Sequence, residues 1–280
     1  MPKVISNNIS LYYQITGQGE HSVILISGAN GDHQSVWPPQ VVNALAEYFQ
    51  VIQFDHRGVG QSDQPDIPYS IEMMADDVAG LMQALQLEKA HLVGYSMGGQ
   101  IAAKLAEKHP EKILSMIGCV CYPNINMHVR LLGKTILELM ELNLPDSIID
   151  KIGLPWVFSD QFIEKNFSSL TQAKEAPKSK PSIGFKRHFE AQCAFTSEAE
   201  CFKNIKIPVL FIAGEEDRIC PPSDVMKFAD LIPNSQITIF KKAGHMLALE
   251  HPEKFAQVVR DFLVDKMELT DERGCSIKLK

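Results

Sequence analysis

The chain has 280 residues, of which 45% are apolar and 22% charged, with a formal net charge of −7. That length suits one large α/β domain with an insertion, or two ordinary domains. The acidic balance argues against nucleic acid or an anionic membrane as the main partner.

The opening stretch "MPKVISNNISLYYQ" lacks a charged segment followed by an apolar one, so no signal peptide is expected. Two β-rich runs around Asn7-Asn8 predict a hairpin. "SVILISG" (22–28) is a continuous apolar run ending in glycine, as expected of a strand buried on both faces. "VIQFD" (51–55), "AHLVG" (90–94) and "IPVLFIAG" (207–214) repeat the pattern, and "QITIF" (236–240) predicts a further strand. Apolar residues at three- and four-residue intervals predict helices over 40–49, 71–85, 99–109, 223–232 and 252–264, the last with Pro252 at its first position. Alternating strands and helices imply an α/β fold, a mostly parallel, doubly wound sheet covered on both faces. Between about 122 and 204 the alternation stops. "VRLLGKTILELMELN", "SDQFIEKNFSSL" and "FKRHFEAQCAF" there read as helices, too many residues for a crossover. The expected organisation is a core of residues 1–122 and 204–280 and a helical cap of residues 123–203.

No apolar stretch reaches the length of a membrane span. The six cysteines (119, 121, 193, 201, 220, 275) show no metal-ligand spacing and read as buried free thiols of a cytoplasmic protein. No metal site and no cofactor is expected, since "GVGQS" (58–62) lacks both a dinucleotide fingerprint and a P-loop lysine.

Active sites of open α/β sheets form at the carboxyl ends of the strands. Ser96 follows the run 90–94, Glu215-Glu216-Asp217 follows 207–214, and His245 lies shortly after 236–240. A serine hydroxyl needs a base to become a nucleophile, histidine suits that role near neutral pH, and a carboxylate fixes the imidazole tautomer. Gly94 and Gly98 flank Ser96 where strand passes to helix, removing side chains that would collide at a strained turn.

Four motifs carry a family resemblance. "GYSMG" (94–98) matches the G-x-S-x-G nucleophile elbow, and "DHRGVGQSD" (55–63), "GEEDRICPP" (214–222) and "AGHMLALEHPEKF" (243–255) follow in order. The chain resembles cap-bearing serine hydrolases of the α/β-hydrolase fold, of the carboxylesterase kind, from first strand to last helix. The resemblance implies Ser96 as nucleophile, His245 as base and Asp217 as orienting acid, with Asp217 preferred over Glu215 and Glu216 by its register after Gly214. It implies an oxyanion hole made by the backbone N–H groups of Met97 and Ala29. Relatives usually carry His-Gly where this chain has Ser27-Gly28, which leaves Ser27 as a substitute anchor. His56 falls in a turn whose role in the family is structural.

The implied substrate is a carboxylic ester, thioester or lactone. Trp156, Phe158, Phe162, Phe167, Phe185 and Phe189 supply the cap with large apolar groups, some for its own core and some for a substrate pocket. Trp156, Phe158, Phe162 and His188 are the pocket candidates. Residues 174–187 hold five Lys/Arg and one Glu. This is either a solvated loop or a patch where Lys178, Lys180, Lys186 and Arg187 dock an acyl carrier protein or CoA ester, as in esterases that release pimeloyl groups. Carbon–carbon bond hydrolases of aromatic degradation and non-hydrolytic ligand receptors share this layout and remain as alternatives.

Overall fold

The structure, a computed structural model, describes residues 2–142, 146–171, 183–196 and 199–267. Among the described residues, eight strands form one sheet. Its order is β1 (Lys3–Ser6), β2 (Ile9–Thr16), β4 (Gln50–Phe54), β3 (Ser22–Ile26), β5 (Ala90–Tyr95), β6 (Ile113–Cys119), β7 (Val209–Gly214) and β8 (Gln236–Phe240). β2 runs antiparallel to both its neighbours and every other pairing is parallel. Asn7 and Asn8 join β1 to β2 with φ of 47° and 62°, the positive values a two-residue hairpin turn demands.

Successive side chains of a strand point to opposite faces, so a strand buried on both sides is apolar throughout. Along β3, Val23 and Leu25 enter one core, beneath α1 (Pro39–Ala46) and α11 (Pro252–Met267). Ile24 and Ile26 enter the other, beneath α2 (Ile71–Ala84), α3 (Met97–Lys108) and α9 (Pro222–Leu231). α11 begins at Pro252, as anticipated, and Ser70 caps α2 by accepting from the Met73 N–H.

Between β6 and β7 lie α4 (Met127–Glu141), α5 (Asp146–Val157), α6 (Asp160–Thr171), α7 (Ile183–Ala194) and the short α8 (Ala199–Lys203); α10 (Leu247–Glu250) precedes α11. The short helices α8 and α10 lie outside the sequence reading, and two longer elements depart from it. β6 was not anticipated, because Ser115 and Gly118 break its apolar run; Ser115 Oγ bonds His91 Nδ1 at 2.7 Å inside the core. α5 carries Pro155 in its interior, which argues locally against a helix. No described helix is long and apolar enough to cross a membrane. The five described cysteines are free thiols, three of them buried.

β3 has β4 on one side and β5 on the other, so the connections leaving β3 and β5 turn to opposite sides of the sheet. A crevice opens at the carboxyl ends of these two strands.

Candidate active site

Ser96 is the single residue between β5 and α3, with φ 53° and ψ −117°. A non-glycine residue holds such a conformation only when its surroundings enforce it. Here the Ser96 N–H donates to Cys119 O (2.8 Å) on β6, and the Gly99 N–H donates to Ser96 O (2.9 Å). A Cβ on Gly94 would overlap Gly98 O, and one on Gly98 would overlap Ile26 O. The two glycines therefore give clearance to backbone, bringing α3 against β3 and β5, and their conformational freedom is not what the turn uses. α3 opens at Met97, so its first N–H groups have no intrahelical acceptor and face the crevice end of the helix.

Asp217 and His245 reach Ser96 from β7 and from beyond β8. Asp217 Oδ1 accepts from the N–H groups of Ile219 and Cys220, both at 2.8 Å, and Oδ2 lies 2.8 Å from His245 Nδ1. His245 Nε2 is 3.1 Å from Ser96 Oγ. Both partners are buried, Asp217 at 3% exposure and His245 at 6%. With Nδ1–H donated to the carboxylate, Nε2 presents its lone pair to the serine hydroxyl. Glu215 turns away to Lys241 Nζ (2.6 Å), an exposed pair that holds its carboxyl below the usual range. Glu216 accepts from the Asp160 N–H at 3.0 Å. Neither competes for the histidine.

The loop after β3 is anchored by side chains that sequence reasoning only partly assigned. Ser27 Oγ accepts from Trp37 Nε1 and donates to Asp32 O, both at 3.0 Å. His188, fully buried on α7, accepts from the Asn30 N–H at Nδ1 (3.1 Å) and donates from Nε2 to Arg57 O (2.8 Å). Both roles need a neutral ring, and burial pushes its pKa down to about 3. His188 is thus a strut beneath the loop and does not line the pocket, which corrects the expectation that it faces substrate. His56, also buried, bonds Ser27 O at 3.0 Å, in keeping with a structural role.

A cavity of about 270 Å³ opens beside Ser96 and His245. Gly28 and Ala29 form part of its wall, and Gly28 packs against the Ser96 side chain. The rest is mostly apolar; Val36, Tyr95, Tyr122, Ile219 and Met246 come from the sheet side and the larger share from the inserted helices. α4 supplies Val129, Leu132, Gly133 and Ile136, and α7 supplies Phe185, Phe189 and Gln192. Trp156, Phe158 and Phe162 are not in the lining, while their neighbour Val157 is. Phe158 and Phe162 stack on each other with ring centroids 4.7 Å apart, and Phe167 is 60% exposed. Adjacent helical residues point about 100° apart, so one residue of difference decides which side chain faces the cavity. The signal that finds the true lining is the i, i+3, i+4, i+7 stripe at 129, 132, 133 and 136 and the i, i+4, i+7 stripe at 185, 189 and 192.

Of the basic patch, Lys178 and Lys180 lie outside the described residues. Lys186 is exposed, and Arg187 is committed to Asp66 (2.5 Å) and Glu190 (2.7 Å), which removes it from the set of cations offered to an acyl carrier. Among the described residues, no three His, Cys, Asp or Glu side chains gather as a metal site requires.

Residues 21–252 match the family model described as the alpha/beta hydrolase fold. The chain belongs to the α/β-hydrolase family. Two relatives align over nearly their whole length. A Caulobacter vibrioides protein named as a carbamate hydrolase, RutD, is 28% identical over 90% of this chain and 95% of its own. The 3-oxoadipate enol-lactonase 1 of Acinetobacter baylyi is 29% identical over 91% of this chain and 93% of its own. Among solved structures, a thermophilic esterase from Thermogutta terrifontis superposes with a TM-score of 0.82 at 25% identity, covering 95% of this chain and 99% of that one. Membership of the α/β-hydrolase family accounts for the mostly parallel sheet, the elbow after β5 and the order in which Ser96, Asp217 and His245 occur.

Proposed function

We propose that this α/β-hydrolase cleaves carboxylic esters, lactones included, through an acyl-enzyme on Ser96. The observation that carries the reading is the hydrogen-bonded chain Ser96 Oγ–His245 Nε2 and His245 Nδ1–Asp217 Oδ2, held at a strained elbow beside an apolar cavity. Names of relatives that include carbamate hydrolase, enol-lactonase and esterase support acyl transfer to water as the reaction type.

In this reading Ser96 Oγ attacks the carbonyl carbon while His245 Nε2 takes its proton. The oxyanion is held by the N–H groups of Met97 and Ala29. Collapse expels the alcohol, which receives the proton from His245, and leaves the acyl group on Ser96. Water, deprotonated by the same histidine, releases the acid and restores the serine. In a lactone the expelled alcohol is part of the acyl chain, so the acyl-enzyme carries it and the second step releases one hydroxy acid. The helices of residues 123–203 serve as the cap that supplies the acyl pocket. Its mostly apolar lining suits the hydrocarbon part of an acyl group.

Ser96→Ala removes the nucleophile from a triad that acts as a unit, so kcat on p-nitrophenyl esters should fall by roughly 10⁴-fold or more. Fluorophosphonate labelling followed by peptide mapping should mark Ser96 in the wild type alone. Undiminished esterase activity in Ser96→Ala would refute the assignment.

A further inference from the structure

Besides Ser96 and His245, three polar side chains line the mostly apolar cavity: Tyr95, whose hydroxyl donates to His245 O at 2.6 Å, and Gln192 and Tyr122. Gln192, 6% exposed on α7, donates from Nε2 to Gln100 Oε1 at 3.1 Å. Its second Nε2 hydrogen and its Oε1 have no partner among the described residues. Tyr122, 4% exposed and three residues beyond β6, likewise makes no hydrogen bond through its hydroxyl among the described residues. Both line the cavity. Among the described residues the buried side-chain atoms left without a partner include Gln100 Nε2 but no atom of Gln192 or Tyr122, whose unpaired groups are open to the cavity.

Gln100, in the first turn of α3, accepts from the Gln192 amide and fixes it from behind. Gln192 and Tyr122 line the same cavity as Ser96, so an acyl chain carried by the serine would enter the space they face. No Lys, Arg, Asp or Glu lines the cavity, so the complementary group is neutral. A carbonyl oxygen, with two lone pairs, accepts from two donors at once.

We propose that Gln192 and Tyr122 form a specificity subsite for a neutral carbonyl oxygen, ketone or amide, carried by the acyl chain a few bonds from the scissile carbonyl. The Tyr122 O–H and the free Nε2–H of Gln192 donate to it, and Gln100 holds Gln192 in place. The subsite rests on the reading of Ser96 as the acylated residue, and it narrows the substrate class to keto- or amido-acyl esters.

The test compares p-nitrophenyl levulinate with p-nitrophenyl pentanoate, two chains of equal length of which only the first carries the ketone. A site built to bond a polar group discriminates strongly against the analogue that lacks it. The wild type should favour levulinate by about tenfold or more in kcat/KM. Gln192→Met, which keeps volume and loses the donor, should bring the ratio close to one. Tyr122→Phe, which removes a single oxygen, should lower it severalfold and serves if the first variant folds poorly. A ratio near one in the wild type, or one that neither variant changes, overturns the subsite. Calorimetric binding of free levulinate and valerate to Ser96→Ala gives a readout without turnover, with the same preference and the same dependence on Gln192 expected. Retained binding preference with no turnover of either ester would defeat the hydrolase reading and leave the subsite standing. Equal turnover and equal binding of the two would do the reverse.

Discussion

Ser96 holds its positive φ because three segments enforce it: β6 receives its N–H, α3 caps its carbonyl, and β3 packs against the glycine two residues on. Such a conformation costs on the order of 1–3 kcal/mol, recovered from the surrounding packing. His188 does comparable work at a distance, joining α7 to the Asn30 and Arg57 backbones. His188→Ala would leave a buried donor and a buried acceptor unpaired and open a void, so stability to denaturant should fall by about 2–4 kcal/mol. His188→Gln, which keeps one donor and one acceptor, should restore part of that loss. Equal stability of the alanine variant and the wild type would show that the strut is dispensable.

At the scale of elements, α4 and α7 meet where Gly133 faces Phe189, and a Cβ on Gly133 would overlap the ring. Phe189 also lines the cavity, so Gly133→Ala should drive the ring inward. The expected result is a severalfold loss of kcat/KM on longer acyl p-nitrophenyl esters, with little change on acetate, read from a chain-length series. This contact also marks how far sequence carries. The inner strands were legible because burial on both faces leaves an uninterrupted apolar run, as in β3 and β7. Ser96 and Asp217 were legible because each follows such a run, and His245 because it lies shortly after the edge strand β8 and completes the order of the motifs. β6 was hidden by Ser115, whose hydroxyl is satisfied by a histidine one strand away, a partner no local pattern announces. The pocket residues were misplaced for a related reason. Composition named the aromatic groups of the insertion, but Trp156 and Val157 differ only in helical phase, which packing decides. The role of His188 was equally hidden, since its partners lie 158 and 131 residues away in sequence.

At the scale of the whole molecule, three buried histidines tie folding to pH. Burial pushes His56 and His91 down to about 4 and His188 to about 3, from an ordinary value of 6.5. The unfolded chain takes up these protons from pH 6.5 downward, while the folded chain resists until its lower values are reached. Stability present above pH 6.5 is therefore lost as pH falls toward 4, by about 1.4 kcal/mol per pH unit for each ring at most. The thermal midpoint should be clearly lower at about pH 5 than at about pH 7, and an unchanged midpoint would contradict this account. The helices between β6 and β7 are bound into the same structure. Met246 N–H donates to Val157 O, Glu250 accepts from both the Gly244 and Ser159 N–H groups, Arg218 pairs with Asp160, and His188 braces the loop after β3. Every loop that flanks the serine, apart from its own elbow, is thus fastened to the insertion. The insertion is not an interchangeable part. Grafting a relative's helices onto this sheet would succeed only if the matching anchors at positions 30, 57, 218 and 250 travelled with them.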